Sequence, residues 1–243
     1  MNATTKVEIA LHKGIIKNEK AFILNDMNKN QRRNRMTLES SKTIGGIGAL
    51  LMFIGIFPYI NYFGVVELIG AILVLVALHG LGSYYKEEGI FNNALYGIIT
   101  AVVGVVLAVA VGIVIVLSSI TDFLMKIFPS WNGDWSTLPS LSGMTPNTSN
   151  IGVGDVIPFI VGAIVIIAIL WVFAIIATFF LRRSLKQLSA KSNYGLFGTA
   201  GLLLLIGAFL VIVIGLGLIL IWIAALILAI AFFNLKPIQQ PPQ

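Results

Sequence analysis

Residues 195–233 read GLFGTAGLLLLIGAFLVIVIGLGLILIWIAALILAIAFF, 39 positions without one charged side chain. That stretch decides the fold. A bilayer core of ~30 Å is crossed by about 20 apolar residues in a helix that rises ~1.5 Å per residue. One straight helix through the whole run would be ~58 Å long, about twice the core thickness. The run therefore reads as two helices joined by a tight turn, with Gly215 and Gly217 as the break. No polar residue marks that turn, so four spans with long, tilted helices are the alternative to six.

The same reading extends outward. The block Ile44–Leu81 is interrupted only by Glu67, His79 and the turn-forming Pro58-Tyr59-Ile60-Asn61, and it also divides into two helices, at Pro58 and Gly64. Ala94–Leu117 and Ile157–Leu181 each supply one more. The expected fold is an all-α, polytopic transmembrane helical bundle of about six spans in three hairpins. The spans fall near 43–58, 64–83, 94–119, 156–182, 195–213 and 216–235 within a membrane domain of 43–236. A basic segment, 1–42, precedes it and a Pro/Gln-rich tail, 237–243, read as disordered, follows it.

Composition agrees. Of 243 residues, 58% are hydrophobic and 11% charged, with a mean hydropathy of +0.96. A soluble domain carries roughly 25% charged residues, because a surface facing water must be covered with polar groups. The net charge of +6 flanks the apolar runs and does not form a patch among aromatics, which argues against nucleic acid as a partner. The absence of cysteine excludes disulfides and thiolate chemistry. The first 43 residues are polar and basic and show no cleavable signal peptide.

Charge also sets the expected orientation. With the N-terminus inside, fifteen of the sixteen Lys and Arg fall on the inner side and only Lys126 falls outside. Both termini are then cytoplasmic, loop 123–155 is extracytoplasmic, and the protein belongs in the plasma membrane. Tyr59, Tyr62 and Phe63 at one boundary, and Tyr84, Tyr85, Tyr96 and Tyr194 at the other, suit the amphipathic membrane interface. In the basic segment, Val7, Leu11 and Ile15 lie on one face of a candidate interfacial helix, the alternative being an unstructured tail.

Small residues recur at helical spacing in the third span, at Gly97, Ala101, Gly104, Ala108 and Gly112. Such a seam lets helix backbones approach closely where lipid supplies no hydrophobic drive. Its partner is either another helix of the chain or, along Gly104, Ala108 and Gly112, a second copy. The first and last hairpins match in register: Gly46, Leu50, Leu51, Ile54, Gly55 and Phe57 against Gly198, Leu202, Leu203, Ile206, Gly207 and Phe209.

Intramembrane ionisable groups are the natural functional candidates, and the sequence offers Glu67 and His79. Glu67 sits in the first turn of the second span, where it either binds a proton or cation or simply favours the positive end of the helix dipole. His79 lies near the inner end of the same helix, more than two turns away, as an interfacial hydrogen-bonding group or a functional one. Asn92 and Asn93 are expected to cap the third span, and Asp122 to pair with Lys126. No metal-ligand cluster, phosphate-binding glycine loop or nucleophile elbow is present, so neither a cofactor nor a catalytic residue is expected.

Two stretches carry a resemblance. One is Ser41-Lys42-Thr43-Ile44-Gly45-Gly46-Ile47-Gly48-Ala49-Leu50-Leu51, with Tyr84-Tyr85-Lys86 and Phe91-Asn92-Asn93-Ala94-Leu95-Tyr96-Gly97 after it. The other is Phe180-Leu181-Arg182-Arg183-Ser184, with Gly195 to Gly201 and Ala231-Phe232-Phe233-Asn234-Leu235-Lys236. Over about residues 38–236 the chain resembles the domain-of-unknown-function 996 family, largely archaeal multi-pass membrane proteins. The resemblance implies the membrane fold and brings no activity or site residues. The expectation is a non-enzymatic structural, assembly or partner-binding component whose partners are the lipid bilayer and a second copy or another membrane protein. A small transporter or channel using Glu67 is the alternative.

Overall fold

The computed structural model describes residues 22, 29, 38–55, 64–149, 151–213 and 215–237. Helix α1 covers the helical residues 38–55. It is followed by α2 (Val65–Tyr85), α3 (Glu88–Ile127), α4 (Ile157–Ser192), α5 (Leu196–Leu210) and α6 (Leu216–Phe233). No strand occurs among the described residues. Among the described residues, four stretches are long and apolar enough to cross a membrane: Val65–Tyr85, Glu88–Ile127, Val153–Ser192 and Leu216–Phe233. Leu196–Leu210 is apolar but shorter. The protein is an all-α helical membrane bundle. The candidate interfacial helix through Val7, Leu11 and Ile15, the Pro58 turn and residues 238–243 lie outside the described residues.

The third and fourth expected spans lie inside much longer helices of 40 and 36 residues. α3 begins at Glu88, so Asn92 and Asn93 sit within its second turn and do not cap it. The start is set by the chain before it. Lys86 adopts a left-handed conformation (φ 52°), its N–H bonds the Ser83 carbonyl, and the Glu87 N–H bonds the Gly82 carbonyl at 2.9 Å. This Schellman-type pattern satisfies the last carbonyls of α2 and turns the chain straight into α3. The α4–α5 corner repeats it: Asn193 is left-handed (φ 53°) and the Tyr194 N–H bonds the Ser189 carbonyl at 3.2 Å. Between α5 and α6, Gly215 has φ 71°, which a glycine adopts without penalty. Residues 196–233 are thus two helices, broken where the sequence places two glycines.

Two compact units divide the chain. The first comprises Met1–Asn92, Ser184–Ala200 and Trp222–Gln243. In it α1 and α2 run antiparallel and touch through glycine: a Cβ at Gly70 would lie 2.6 Å from the Gly48 carbonyl oxygen, and one at Gly48 would lie 2.7 Å from that of Gly70. Phe197 and Phe232 meet edge to face at 5.2 Å, both fully buried, and Gly45 makes room for the Phe232 ring. Trp222 stacks on Phe53 at 4.7 Å, and its indole N–H donates to the Phe53 carbonyl at 3.1 Å. In the register of the first and last hairpins, α1 and α5 bury corresponding positions. Gly48 and Ala200, Ala49 and Gly201, and Gly55 and Gly207 are buried, whereas Ile47 and Thr199, and Ile54 and Ile206, are exposed.

The second unit comprises Asn93–Arg183 and Gly201–Ile221. Here α3 and α4 run antiparallel, with Gly97 against the Ala177 carbonyl, Gly104 against Phe173 and Gly112 against Ile166. Ala108 is buried in the same line, whereas Ala101 is exposed. α4 therefore occupies the seam face within the chain, where interhelical packing through small residues replaces the hydrophobic drive. Past the end of α3 the loop is ordered by tryptophan. Trp131 is buried and its indole N–H donates to Thr137 Oγ1 at 2.9 Å, while Trp135 donates to Thr121 Oγ1 at 3.1 Å. Lys126 pairs with Asp155 and not with Asp122, because the loop folds back and brings the start of the next helical segment onto the last turn of α3.

Candidate functional site at the α2–α3 corner

The corner that ends α2 and starts α3 holds a cleft of about 430 Å³ lined by His79, Gly82, Ser83, Lys86, Glu88, Phe91 and Asn92. Local geometry explains how these residues meet. His79 and Ser83 are four apart on α2 and share one face. The left-handed Lys86 reverses the chain within two residues, so that Glu88, Phe91 and Asn92 of α3 come to face them. Phe91 packs edge to face on the His79 ring at 4.8 Å. The back of the corner is fastened to α4. Glu87 pairs with Lys191 at 3.0 Å, the buried Ser184 hydroxyl donates to the Ile90 carbonyl, and the Gln187 amide closes over Gly89.

The cleft presents an imidazole, an ammonium, a carboxylate, an amide and a hydroxyl, all on exposed residues, over an aromatic floor. These groups can donate and accept hydrogen bonds to a polar group. The Ser83 hydroxyl donates to the His79 carbonyl at 3.1 Å, and so is held by its own helix and not by a base. Activation of a serine requires a hydrogen bond to a general base, which this geometry does not supply. No group of three His, Cys, Asp or Glu that could hold a metal ion occurs among the described residues.

Of the two sequence candidates, His79 lies in the cleft and Glu67 does not. Glu67 is half-buried in the first turn of α2, twelve residues or ~18 Å along the helix from His79. The seam residues Gly97, Gly104, Ala108 and Gly112 are packing positions on α3, away from the lining of the cleft. Ser83, Lys86, Glu88 and Asn92 are the residues that sequence reasoning left out of the site. The signal for them is the density of polar residues between His79 and Asn92, which becomes a site only through the left-handed turn at Lys86.

At the other end of α3, the loop carries two carboxylates held below their ordinary range. Asp134 is lowered by the backbone N–H and then the hydroxyl of Ser136, and Asp155 by the Gly152 N–H and then by Lys126. In both, accepted hydrogen bonds stabilise the charged form: Asp134 caps the 3₁₀ turn that follows it, and Asp155, the last residue of its own turn, accepts from the Gly152 N–H at that turn's start.

The family described as "Protein of unknown function (DUF996)" matches residues 66–226, from α2 into α6. A relative in Methanocaldococcus jannaschii, the uncharacterized protein MJ1644, is 27% identical over 202 residues, covering 83% of this chain and 94% of that protein. No solved structure matches. With two thirds of its length matched, the chain belongs to the DUF996 family, proteins of unknown function.

Proposed function

We propose that this protein is a non-enzymatic, multi-pass component of the plasma membrane, with both termini cytoplasmic, that serves as a structural or assembly partner for a second copy or another membrane protein. The observation that carries the reading is the uneven burial of the long helices. Only 11% and 6% of the most apolar stretches of α3 and α4 are buried within the chain, against 33% and 39% for α2 and α6. Val102, Val106, Val109 and Val114 on α3 and Ile160, Ile164 and Ile167 on α4 are all more than half exposed. Such a surface suits lipid and membrane-embedded partners, and association there proceeds through packing. Helix hydroxyls are consumed locally: Thr100, Thr121, Thr178 and Ser192 each donate to a carbonyl four residues back.

A photo-crosslinker at Val106 or Val109, in native membranes, tests the assignment. A stoichiometric adduct with a copy of the chain or with one membrane protein supports it. Solute flux through liposomes containing the purified protein alone overturns it, and loss of that flux in Glu67→Gln would establish the transporter alternative. Orientation is checked separately by single cysteines at Ser140 and Ser189, which should label from opposite sides.

A further inference from the structure

We propose that the α5–α6 hairpin is re-entrant: its turn stops inside the bilayer and is covered by the acyl chains of the far leaflet. The first argument is length. α5 has 15 residues and is ~22 Å long, well short of a ~30 Å core. The second is depth. The Trp171 indole N–H donates to the Ala208 carbonyl at 2.9 Å, which fixes the last turn of α5 at the level of Trp171 on α4. Along α4, Trp171 lies eleven residues, ~16 Å, from the charged Arg182. In the other direction α4 runs on for fourteen residues, ~21 Å, to its start at Ile157. The turn rises only a few residues beyond Ala208, which places it ~20 Å from the level of Arg182 and ~10 Å short of the far edge of a ~30 Å core, while α4 continues past it. That continuation is apolar and exposed through Ile157, Ile160, Val161 and Ile164.

The third argument is chemistry. From Gly201 to Phe233 the only side chain that can hydrogen-bond is Trp222. The turn and the start of α6 expose Ile212, Val213, Leu216, Leu218 and Ile219, four of them by more than half. A turn that met water would have no reason to be built so. A turn in hydrocarbon must satisfy its own backbone, and this one largely does. Val213 N–H bonds the Leu210 carbonyl at 2.9 Å, Leu216 N–H that of Val213 at 3.1 Å and Leu218 N–H that of Gly215 at 3.0 Å, while the Ala208 carbonyl takes the Trp171 indole. Gly207 and Gly217 then press the two backbones together. Residues 195–233 form one hairpin whose turn ends short of the far interface, in place of two complete spans. The charge asymmetry is unaffected, because the number of crossings changes by two.

The chain has no cysteine, so the test is direct. Ile212→Cys and Leu216→Cys are made singly, with Ser140→Cys in the loop as reference, and reconstituted in liposomes. A membrane-impermeant maleimide should modify Ser140→Cys at least ten-fold faster than either hairpin variant. A bimane probe on the hairpin cysteines should be quenched more by a lipid carrying its quencher near the chain end than by one carrying it near the headgroup. Labelling of Ile212→Cys at the rate of Ser140→Cys, or stronger quenching from the headgroup position, overturns the proposal. So does efficient disulfide formation between two Ile212→Cys chains, which would make a second copy the occupant. The proposal rests on membrane embedding alone. The partner reading above can fail without affecting the quenching, and Leu216→Cys gives a second readout if Ile212→Cys folds poorly.

Discussion

Gly217→Ala is the sharpest test of how the last hairpin is held. A Cβ at Gly217 would lie 2.1 Å from the Gly207 carbonyl oxygen, 2.3 Å from the Val211 nitrogen and 2.6 Å from the Leu210 carbonyl carbon. All three are backbone atoms and none can rotate away. Relief to an ordinary contact requires α5 and α6 to separate by ~1 Å, and a gap of that size forfeits a quarter to a half of each dispersion contact across the interface. Overpacking of this kind costs about 1–3 kcal/mol, and backbone neighbours place it at the upper end, ~3 kcal/mol. Alanine returns about 1 kcal/mol through helix propensity, since Gly217 lies inside α6. The expected net loss is about 2 kcal/mol. The assay is the unfolding midpoint in mixed detergent micelles titrated with a denaturing detergent, with Gly143→Ala as control, because a Cβ there meets nothing within 4 Å. A Gly217→Ala protein within about 0.5 kcal/mol of the parent, the usual range for harmless surface changes, would refute the reasoning.

Three further outcomes are expected. Trp171→Phe keeps most of the ring but strips the donor from the Ala208 carbonyl, and should lower stability by about 1 kcal/mol, read by the same titration; no change would mean another donor replaces it. Lys86→Gly relieves left-handed strain of about 1 kcal/mol at the α2–α3 corner and should match or exceed the parent's stability, whereas Lys86→Val should fall below it. The loop should respond to acid with one sign. Asp134 and Asp155 titrate lower when folded than when unfolded, so their contribution is fully present above the ordinary carboxylate value of 3.8 and is lost as pH falls through the lowered folded values. Emission from a variant retaining only Trp131 and Trp135 should be flat from pH 7 to about 5 and change only well below that, since a carboxylate with an ordinary or lowered titration is fully charged there; a transition near neutrality would contradict the assignment.

The division of labour between sequence and tertiary structure follows from range. Hydropathy and charge are local sums, so the all-helical membrane class, the long apolar blocks and the break at Gly215 could be read directly from the chain. The small-residue seam on α3 was legible as a seam because steps of three and four repeat along one helix face. Its partner was not, since any helix could fill it, and only packing assigns Gly104 to Phe173 of α4. The sequence points to a cap at Asn92 and Asn93, because Asn is a good cap in general, while the actual start depends on a left-handed Lys86, an unusual residue for that conformation. The cleft at His79 needed the same corner before its residues could converge. The acid nearest Lys126 in sequence is Asp122, but folding of the loop brings Asp155 to it from 29 residues away. The sequence by itself determined which segments avoid water. Tertiary structure decided which of them touch, because contact depends on distances between segments that no local sum contains.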